Sequence, residues 1–374
     1  IDELDKVSKT ENGKEIIGIL THLTDPSQND EFADKYFSGI NLDLSKVLFI
    51  FSYNDYNLLD PILADRIHRV KFKNLTKHEK IYIVNNYLLP ELLENVGFSK
   101  RSITFDDEVL YYIINNYTFE AGIRNLKQKM FEIIREINLK HLMNSKEYTF
   151  PIKITKTIIE ELFFNKLKIL YKKINNEPKI GLVNGLYATT SGIGGITIIE
   201  VFKTPSDSKM SLVLTGQQGD VMQESMKCAK TIAWNILPES FKLKLEEEFK
   251  NNYKWNIHIH CPEAATPKDG PSAGAAITLA IISLLTQIPI NNKIALTGEI
   301  DLNGNIHVIG GLETKIDGGK IAGAELILYP KDNEQDIEII RKNNPEILNN
   351  IKIKPVSTIH DVISECLMNT EPFI

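Results

Sequence analysis

The stretch Pro267-Lys268-Asp269-Gly270-Pro271-Ser272-Ala273-Gly274, followed at once by the apolar run Ala275 to Leu285, constrains this chain more than any other. Prolines and glycines on both sides of one serine predict a tight turn into a helix, with Ser272 near the helix N-terminus. A hydroxyl there lies beside unpaired backbone N–H groups and the positive end of the helix dipole, which favour a developing oxyanion. The plainest local reading is a helix cap, since serine is a preferred capping residue. Serine is also a poor nucleophile until a base takes its proton. No G-x-S-x-G elbow occurs, which argues against the α/β-hydrolase arrangement.

A chain of 374 residues with 43% apolar content is long enough for several domains with real cores. A charged fraction of 25% and a net charge of −6 call for neither a nucleic-acid nor an anionic-membrane partner. Cys228, Cys261 and Cys366 are far apart and form no C-x-x-C pair, so they read as free thiols in a reducing compartment. Ala275 to Leu285 is well short of the roughly 20 residues a bilayer needs. The opening Ile1-Asp2-Glu3, without a methionine, reads as a piece of something longer, from which a targeting segment could have been lost.

Taken in order, Ile1 to Lys6 looks like the end of a buried strand carrying an Asp-Glu pair. Val47 to Ser52 is a short apolar run that ends at Asn54, as a central parallel strand would. Leu58 to Arg66 reads as a short helix. From Asn74 the pattern is helical: Lys77 to Leu89, ended by Pro90, then Asp106 to Asn116, Glu120 to Leu142 and Lys156 to Leu170. Asp106, Asp107 and Glu108 suit a first turn, where the dipole favours carboxylates. Lys172 to Pro178 reads as a solvated interdomain hinge rather than a nucleic-acid contact.

From Lys179 onward, strands alternate with helices. Ile180 to Ala188 and Gly195 to Phe202 form a hairpin pair, with further strands at Ser211 to Thr215, Trp255 to His260, Ile294 to Thr297, Ile306 to Val308 and Leu326 to Tyr329. Asp220 to Asn235 and the segment holding Lys315 are helical. On a strand, His258 and His260 share one face, as a metal site would require, but no third ligand has a recognisable spacing.

The octet around Ser272, with Thr297-Gly298-Glu299-Ile300 and Gly310-Gly311-Leu312-Glu313-Thr314-Lys315 after it, closely resembles the active-site signature of the Lon proteases. The resemblance implies a Ser–Lys dyad of Ser272 and Lys315 in place of a Ser-His-Asp triad. It makes Thr297 the hydroxyl that bonds the lysine, Asp269 and Glu299 active-site organisers, Lys268 a loop residue, and His258 and His260 neighbours without a base role. Earlier motifs are similar to an AAA+ ATPase core. By that likeness Asp2 is the Walker B carboxylate that helps hold Mg²⁺ through the nucleotide, and Glu3 polarises the attacking water. Asn54 matches sensor 1, and Arg66 the arginine finger. Ala121-Gly122-Ile123-Arg124-Asn125-Leu126 matches sensor 2, with Arg124 on the phosphates. Asp25 to Asn29 and Phe32 to Tyr36 also fall where Lon sequences have similar residues. No G-x-x-x-x-G-K-[ST] loop is present, and the family places it upstream of Walker B.

The implied architecture is a truncated α/β AAA+ core at 1–73, a helical lid and linker at 74–178, and an α+β Lon-type peptidase domain at 179–374. The implied protein is an ATP- and Mg²⁺-dependent serine endopeptidase, a homohexamer that degrades unfolded or damaged proteins in the cytoplasm or mitochondrial matrix, without membrane attachment. Lys315, desolvated and with a lowered pKa, would take the Ser272 proton. Ser272 would form an acyl-enzyme that water hydrolyses, with backbone N–H groups near Ser272 holding the oxyanion. Two other readings are open: an AAA+ remodeller whose peptidase has decayed, against which an intact Ser272 and Lys315 argue, and an ATP-independent or membrane-tethered relative.

Overall fold

The structure, a computed structural model, describes all residues except 8–10, 34–35, 37–38, 71, 73, 100, 119, 144–149, 163–167, 169–170, 190–191, 252–253, 263–267 and 374, and the side chain of Asn57. The chain divides into two compact units, Ile1–Lys73 and Asn74–Ile374.

In the first unit, α1 (Glu11–Thr24) and α2 (Pro61–Asp65) pack around Leu4, Leu20, Leu59 and Leu63. A short antiparallel pair, β1 (Phe32–Ala33) and β2 (Asn41–Leu42), lies beside them. Asp60 starts α2 by accepting the Ile62 and Leu63 N–H groups, and Pro61 occupies the first turn, where a missing N–H costs nothing. Ile1 N–H donates to Ile50 O at 2.8 Å and Ser52 N–H to Ile1 O at 2.9 Å, the pattern of parallel neighbours. Glu3, whose φ of 55° is left-handed, breaks the register, and Leu4 N–H donates to Ser52 O at 2.9 Å. Val47, Leu48 and Ile50, expected in a buried central strand, are exposed and outside any described sheet. A central strand needs partners on both edges, and the described residues supply one neighbour only.

The second unit opens with helices around one apolar core. They are α3 (Lys77–Ile83), α4 (Leu89–Val96), α5 (Asp107–Tyr117), α6 (Arg124–Leu142) and α7 (Lys156–Leu162). A parallel pair, β3 (Ile103–Phe105) and β4 (Ile152–Ile154), ties them together. Pro90 does not end the helix as its sequence position predicts. A wide turn at Val84–Leu88 with π-type bonding precedes α4, so Pro90 falls in the first turn of α4, where no backbone donor is required. The predicted helical residues 163–167, 169 and 170 lie outside the described residues.

The remainder is a seven-stranded mixed sheet in the order β13-β12-β9-β5-β6-β8-β7. Its strands are β5 (Leu182–Ala188), β6 (Gly194–Pro205), β7 (Leu212–Thr215), β8 (Trp255–His260), β9 (Ile294–Leu296), β12 (Leu326–Pro330) and β13 (Lys352–Val356). A separate hairpin joins β10 (Glu299–Ile300) to β11 (Ile306–His307). Helices α8 (Asp220–Ile236), α9 (Glu239–Lys250), α10 (Gly274–Thr286), α11 (Leu312–Ala322), α12 (Glu334–Asn343) and α13 (Ile359–Cys366) pack round the sheet. Every residue of α10 is buried, as expected of a helix apolar on all sides. Its hydroxyls are satisfied: Thr278 donates to Gly274 O at 2.8 Å, and Ser283 accepts the Gly181 N–H at 3.0 Å. No helix among the described residues is long and apolar enough to cross a membrane.

Candidate active site

Strands β5 and β9 run parallel, and the C-terminal end of β5 opens onto a hollow. Ligand sites form readily at such an edge, because loops and helix ends converge there. The hollow has a volume of about 310 Å³ and is walled by Tyr187 and Ala188 from the end of β5, Asp269, Pro271 and Ser272 from the turn before α10, and Glu299 from β10. Val308, Ile309 and Gly310 close it from the loop before α11, and Lys315 enters from α11 itself. A larger hollow of about 430 Å³ lies between α6 and α7 and holds no nucleophile among its described lining residues.

Ser272 stands two residues before α10 and does not cap it; Ala273 occupies that position, with no side-chain bond. Backbone bonds fix the turn. Gly298 N–H donates to Ser272 O at 2.8 Å, and Gly274 N–H to Pro271 O at 3.0 Å. Ala275 N–H donates to Gly298 O at 3.1 Å, so the Gly274 and Ala275 amides, two of the N–H groups near Ser272, are already engaged. Among the described residues the Ser272 hydroxyl makes no hydrogen bond, and the side chain is half-buried beside the hollow.

Lys315 is 4% exposed. Its Nζ donates to Thr297 Oγ1 at 3.1 Å, and Thr297 Oγ1 donates in turn to Ser272 O at 3.1 Å. Burial alone lowers the Lys315 pKa to about 8 from the ordinary 10.5. An amine with that pKa, neutral in part near physiological pH and facing a cavity that contains a serine, is able to accept a proton. Thr297 orients the amine and the serine turn through one hydroxyl.

Asp269 organises the turn from outside. Its Oδ1 accepts the Met222 N–H at 3.0 Å and the Gly270 N–H at 2.8 Å, so it caps α8 across the chain while bending its own loop. The cap works because Gly219 has no side chain; a Cβ there would lie 2.4 Å from the Asp269 carboxyl carbon. Lys268 pairs by its backbone with Gln217 and Gly219, and Pro267 lies outside the described residues. Glu299 lines the hollow one residue after Gly298, which is bonded to this turn, and lies cross-strand from His307.

His258 and His260 do share a face, and the group between them is the Thr215 hydroxyl, 2.9 Å from His258 Nε2 and 2.7 Å from His260 Nδ1. With one proton it donates to one ring and accepts from the other. Among the described residues no cluster of three His, Cys, Asp or Glu forms a metal site.

The residues matched to nucleotide motifs fall on two units. On the first, Asp2 Oδ1 accepts the Ser52 hydroxyl and the Glu3 N–H, and these bonds, Ser52 first, hold its carboxyl below the usual range. Glu3 pairs with Lys6 at 2.6 Å, Asn54 is exposed, and Arg66 folds back on Asp25 at 2.6 Å and Thr21 O at 2.9 Å. On the second, Arg124 is the exposed first residue of α6, next to Asn125 and Leu126, whose N–H groups the Glu120 carboxylate accepts at 2.8 Å each. Sequence reasoning did not single out Tyr187, Ala188, Val308 and Ile309, which come from two distant segments; the Gly310-Gly311 pair beside Ile309 was their one local signal.

Two family models match this chain. The family model of the Lon protease (S16) C-terminal proteolytic domain matches residues 153–369, and that of the Lon protease AAA+ ATPase lid domain matches residues 94–150. A Lon protease of Buchnera aphidicola is 38% identical over 100% of this chain and 46% of its own length. A Lon protease of Campylobacter jejuni is 36% identical over 98% of this chain and 46% of its own length. A Lon protease homolog of Acanthamoeba polyphaga mimivirus is 35% identical over 97% of this chain and 41% of its own length. The chain thus spans less than half the length of these curated relatives. The proteolytic-domain match alone covers more than half of the residues, and it takes in Ser272, Thr297 and Lys315; on that footing the chain belongs to the Lon protease family.

Proposed function

We propose that this chain carries the peptidase of an ATP-dependent serine endopeptidase, with Ser272 as nucleophile and Lys315 as its base. The observation that carries this reading is the buried Lys315 ammonium, bonded to a neutral hydroxyl and opening onto the same hollow as Ser272. No acidic partner holds it charged, so burial works unopposed. In the reaction the neutral amine takes the Ser272 Oγ proton as Oγ adds to the peptide carbonyl. It then returns that proton to the leaving amine, and water hydrolyses the acyl-serine. The Ser272 hydroxyl must approach the amine for this, an adjustment common when substrate enters a free site.

Within the same reading, residues 1–73 belong to an AAA+ core, residues 74–178 to its lid and linker, and residues 179–374 to the peptidase. Asp2 offers the exposed anionic oxygen that Mg²⁺ favours, in company with nucleotide phosphates. Bound there, the metal would neutralise phosphate charge. Asn54, Arg66 and Arg124 would contact nucleotide, and Arg66 must first leave Asp25. The whole protein would act as a hexamer on unfolded or damaged proteins, in the cytoplasm or mitochondrial matrix.

The test is hydrolysis of a small unstructured fluorogenic peptide. Ser272→Ala and Lys315→Ala are each expected to lower kcat at least about a thousandfold, as losing a member of a catalytic unit does. Activity surviving in Lys315→Ala would refute the base assignment and turn attention to His258 and His260.

A further inference from the structure

Lys315 lies beside a seam between β6 and α11, and the segment 74–77, which leads into α3, touches both sides of that seam. A Cβ on Gly194 would lie 1.8 Å from Thr314 O and 3.1 Å from the Lys315 amide nitrogen. One turn along, a Cβ on Gly318 would stand 2.2 Å from the Gly195 nitrogen. Helix and strand therefore meet backbone to backbone, with no side chain between them to yield. On the strand side, the Asn74 amide rests against Gly192 in the turn before β6, its Nδ2 only 1.7 Å from where a Cβ would be. On the helix side, Asp317 pairs with Lys77 Nζ at 3.6 Å, two residues beyond Lys315. Asn74 and Lys77 flank Thr76, whose capping box with Glu79 starts α3. Leu75 N–H donates to Ala121 O at 3.3 Å, tying the same turn to the segment before Arg124.

We propose that Asn74 and Lys77 are positioning residues for the peptidase site, holding the β6 turn and α11 together so that Lys315 keeps its depth. This rests on the reading of Lys315 as the base and adds the lid as the element that tunes it. The groups facing the ammonium are the Thr297 hydroxyl at the end of β9 and, around the same hollow, Tyr187 from β5, Asp269 from the turn and Glu299 from β10. Positioning and simple charge effects differ in sign. If α11 loosens, water reaches Lys315 and its pKa rises, whichever partner of the pair is lost. Through charge alone, losing Lys77 would raise it but losing Asp317 would lower it.

The experiment follows the pH dependence of Lys315 acetylation by mass spectrometry, beside peptide hydrolysis, in Lys77→Met, Asp317→Asn and the exchanged pair Lys77→Asp with Asp317→Lys. Both single variants should raise the Lys315 midpoint and lower kcat/KM at pH 7 about three- to fivefold, the rate equivalent of an exposed ion pair. The exchanged pair should restore both, and Asn74→Ala should move the midpoint in the same direction as the single variants. Unmoved midpoints, shifts of opposite sign in the two single variants, or no restoration by exchange would overturn the proposal. Acetylation reads Lys315 whether or not it is the base. Activity that survives Lys315→Ala would therefore sink the dyad, while the titration still decides the role of the lid.

Discussion

Peptide hydrolysis by this chain is expected to fall about a hundredfold in kcat/KM between pH 9 and pH 6, because the proposed base Lys315 must be neutral to take the serine proton. Burial holds its pKa at about 8, so most of the amine is neutral at pH 9 and about one part in a hundred at pH 6. The rate should climb with pH through a single ionisation near 8 and level off above it. A profile with its midpoint far below 8 would contradict the assignment of Lys315 as the base. A flat profile across this range would show that no group titrating near 8 governs the reaction. The measurement is initial rate against pH at substrate concentrations well below KM, with each buffer overlapped to exclude specific ion effects.

The same burial gives the second large effect. Lys315→Met is expected to stabilise the folded chain by about 3 kcal/mol at pH 7, from a lowering of about 2.5 pKa units at 1.36 kcal/mol each. Below pH 8 the lysine must either carry its charge in a buried place or give up a proton that it would keep in the unfolded chain. Between 8 and 10.5 the unfolded chain binds more protons than the folded one, so the parent gains stability with rising pH and the advantage of methionine fades. Methionine follows the shape of the lysine stem, and the Thr297 hydroxyl keeps its bond to Ser272 O, so no buried donor is stranded. Urea denaturation at pH 7 and pH 10.5, followed by a probe in the peptidase sheet, measures the difference. Equal stability of parent and variant at both pH values would mean that the ammonium is well solvated in the fold. A more stable but inactive protein is thus the expected product of removing the proposed base, a trade common at functional positions.

Much of the peptidase fold is legible along the chain, because its core elements have strong local signals. Trp255–His260 alternates buried and half-buried residues, and α10 is a mostly apolar run with a Gly-Pro entry. Other elements hide for physical reasons. β13 carries Lys352, Lys354 and Pro355, an edge-strand composition that reads as loop. Pro90 reads as a stop signal, and only the wide turn before it lets the helix continue. Val47 to Ile50 has the look of a central strand, but a strand needs its neighbours.

The candidate site divides in the same way. Ser272, Thr297 and Lys315 stand in recognisable motifs, whereas their arrangement depends on contacts between distant segments. The Gly194-Gly195 pair reads locally as a weak place in a strand. Its meaning emerges only when Thr314, far along the chain, is pressed against it. Asp269 reads as a turn residue, and its cap on α8 is invisible until the two segments meet.

The most direct test of the dyad is covalent. A peptidyl sulfonyl fluoride should react with Ser272 as Oγ displaces fluoride, and tandem mass spectrometry locates the adduct. The account predicts a single adduct on Ser272, formed with a midpoint near pH 8 in the parent and slowed at least about a hundredfold in Lys315→Met, since the alcohol then lacks its base. An adduct on another residue, or labelling of Ser272 at the parent rate in Lys315→Met, would contradict it.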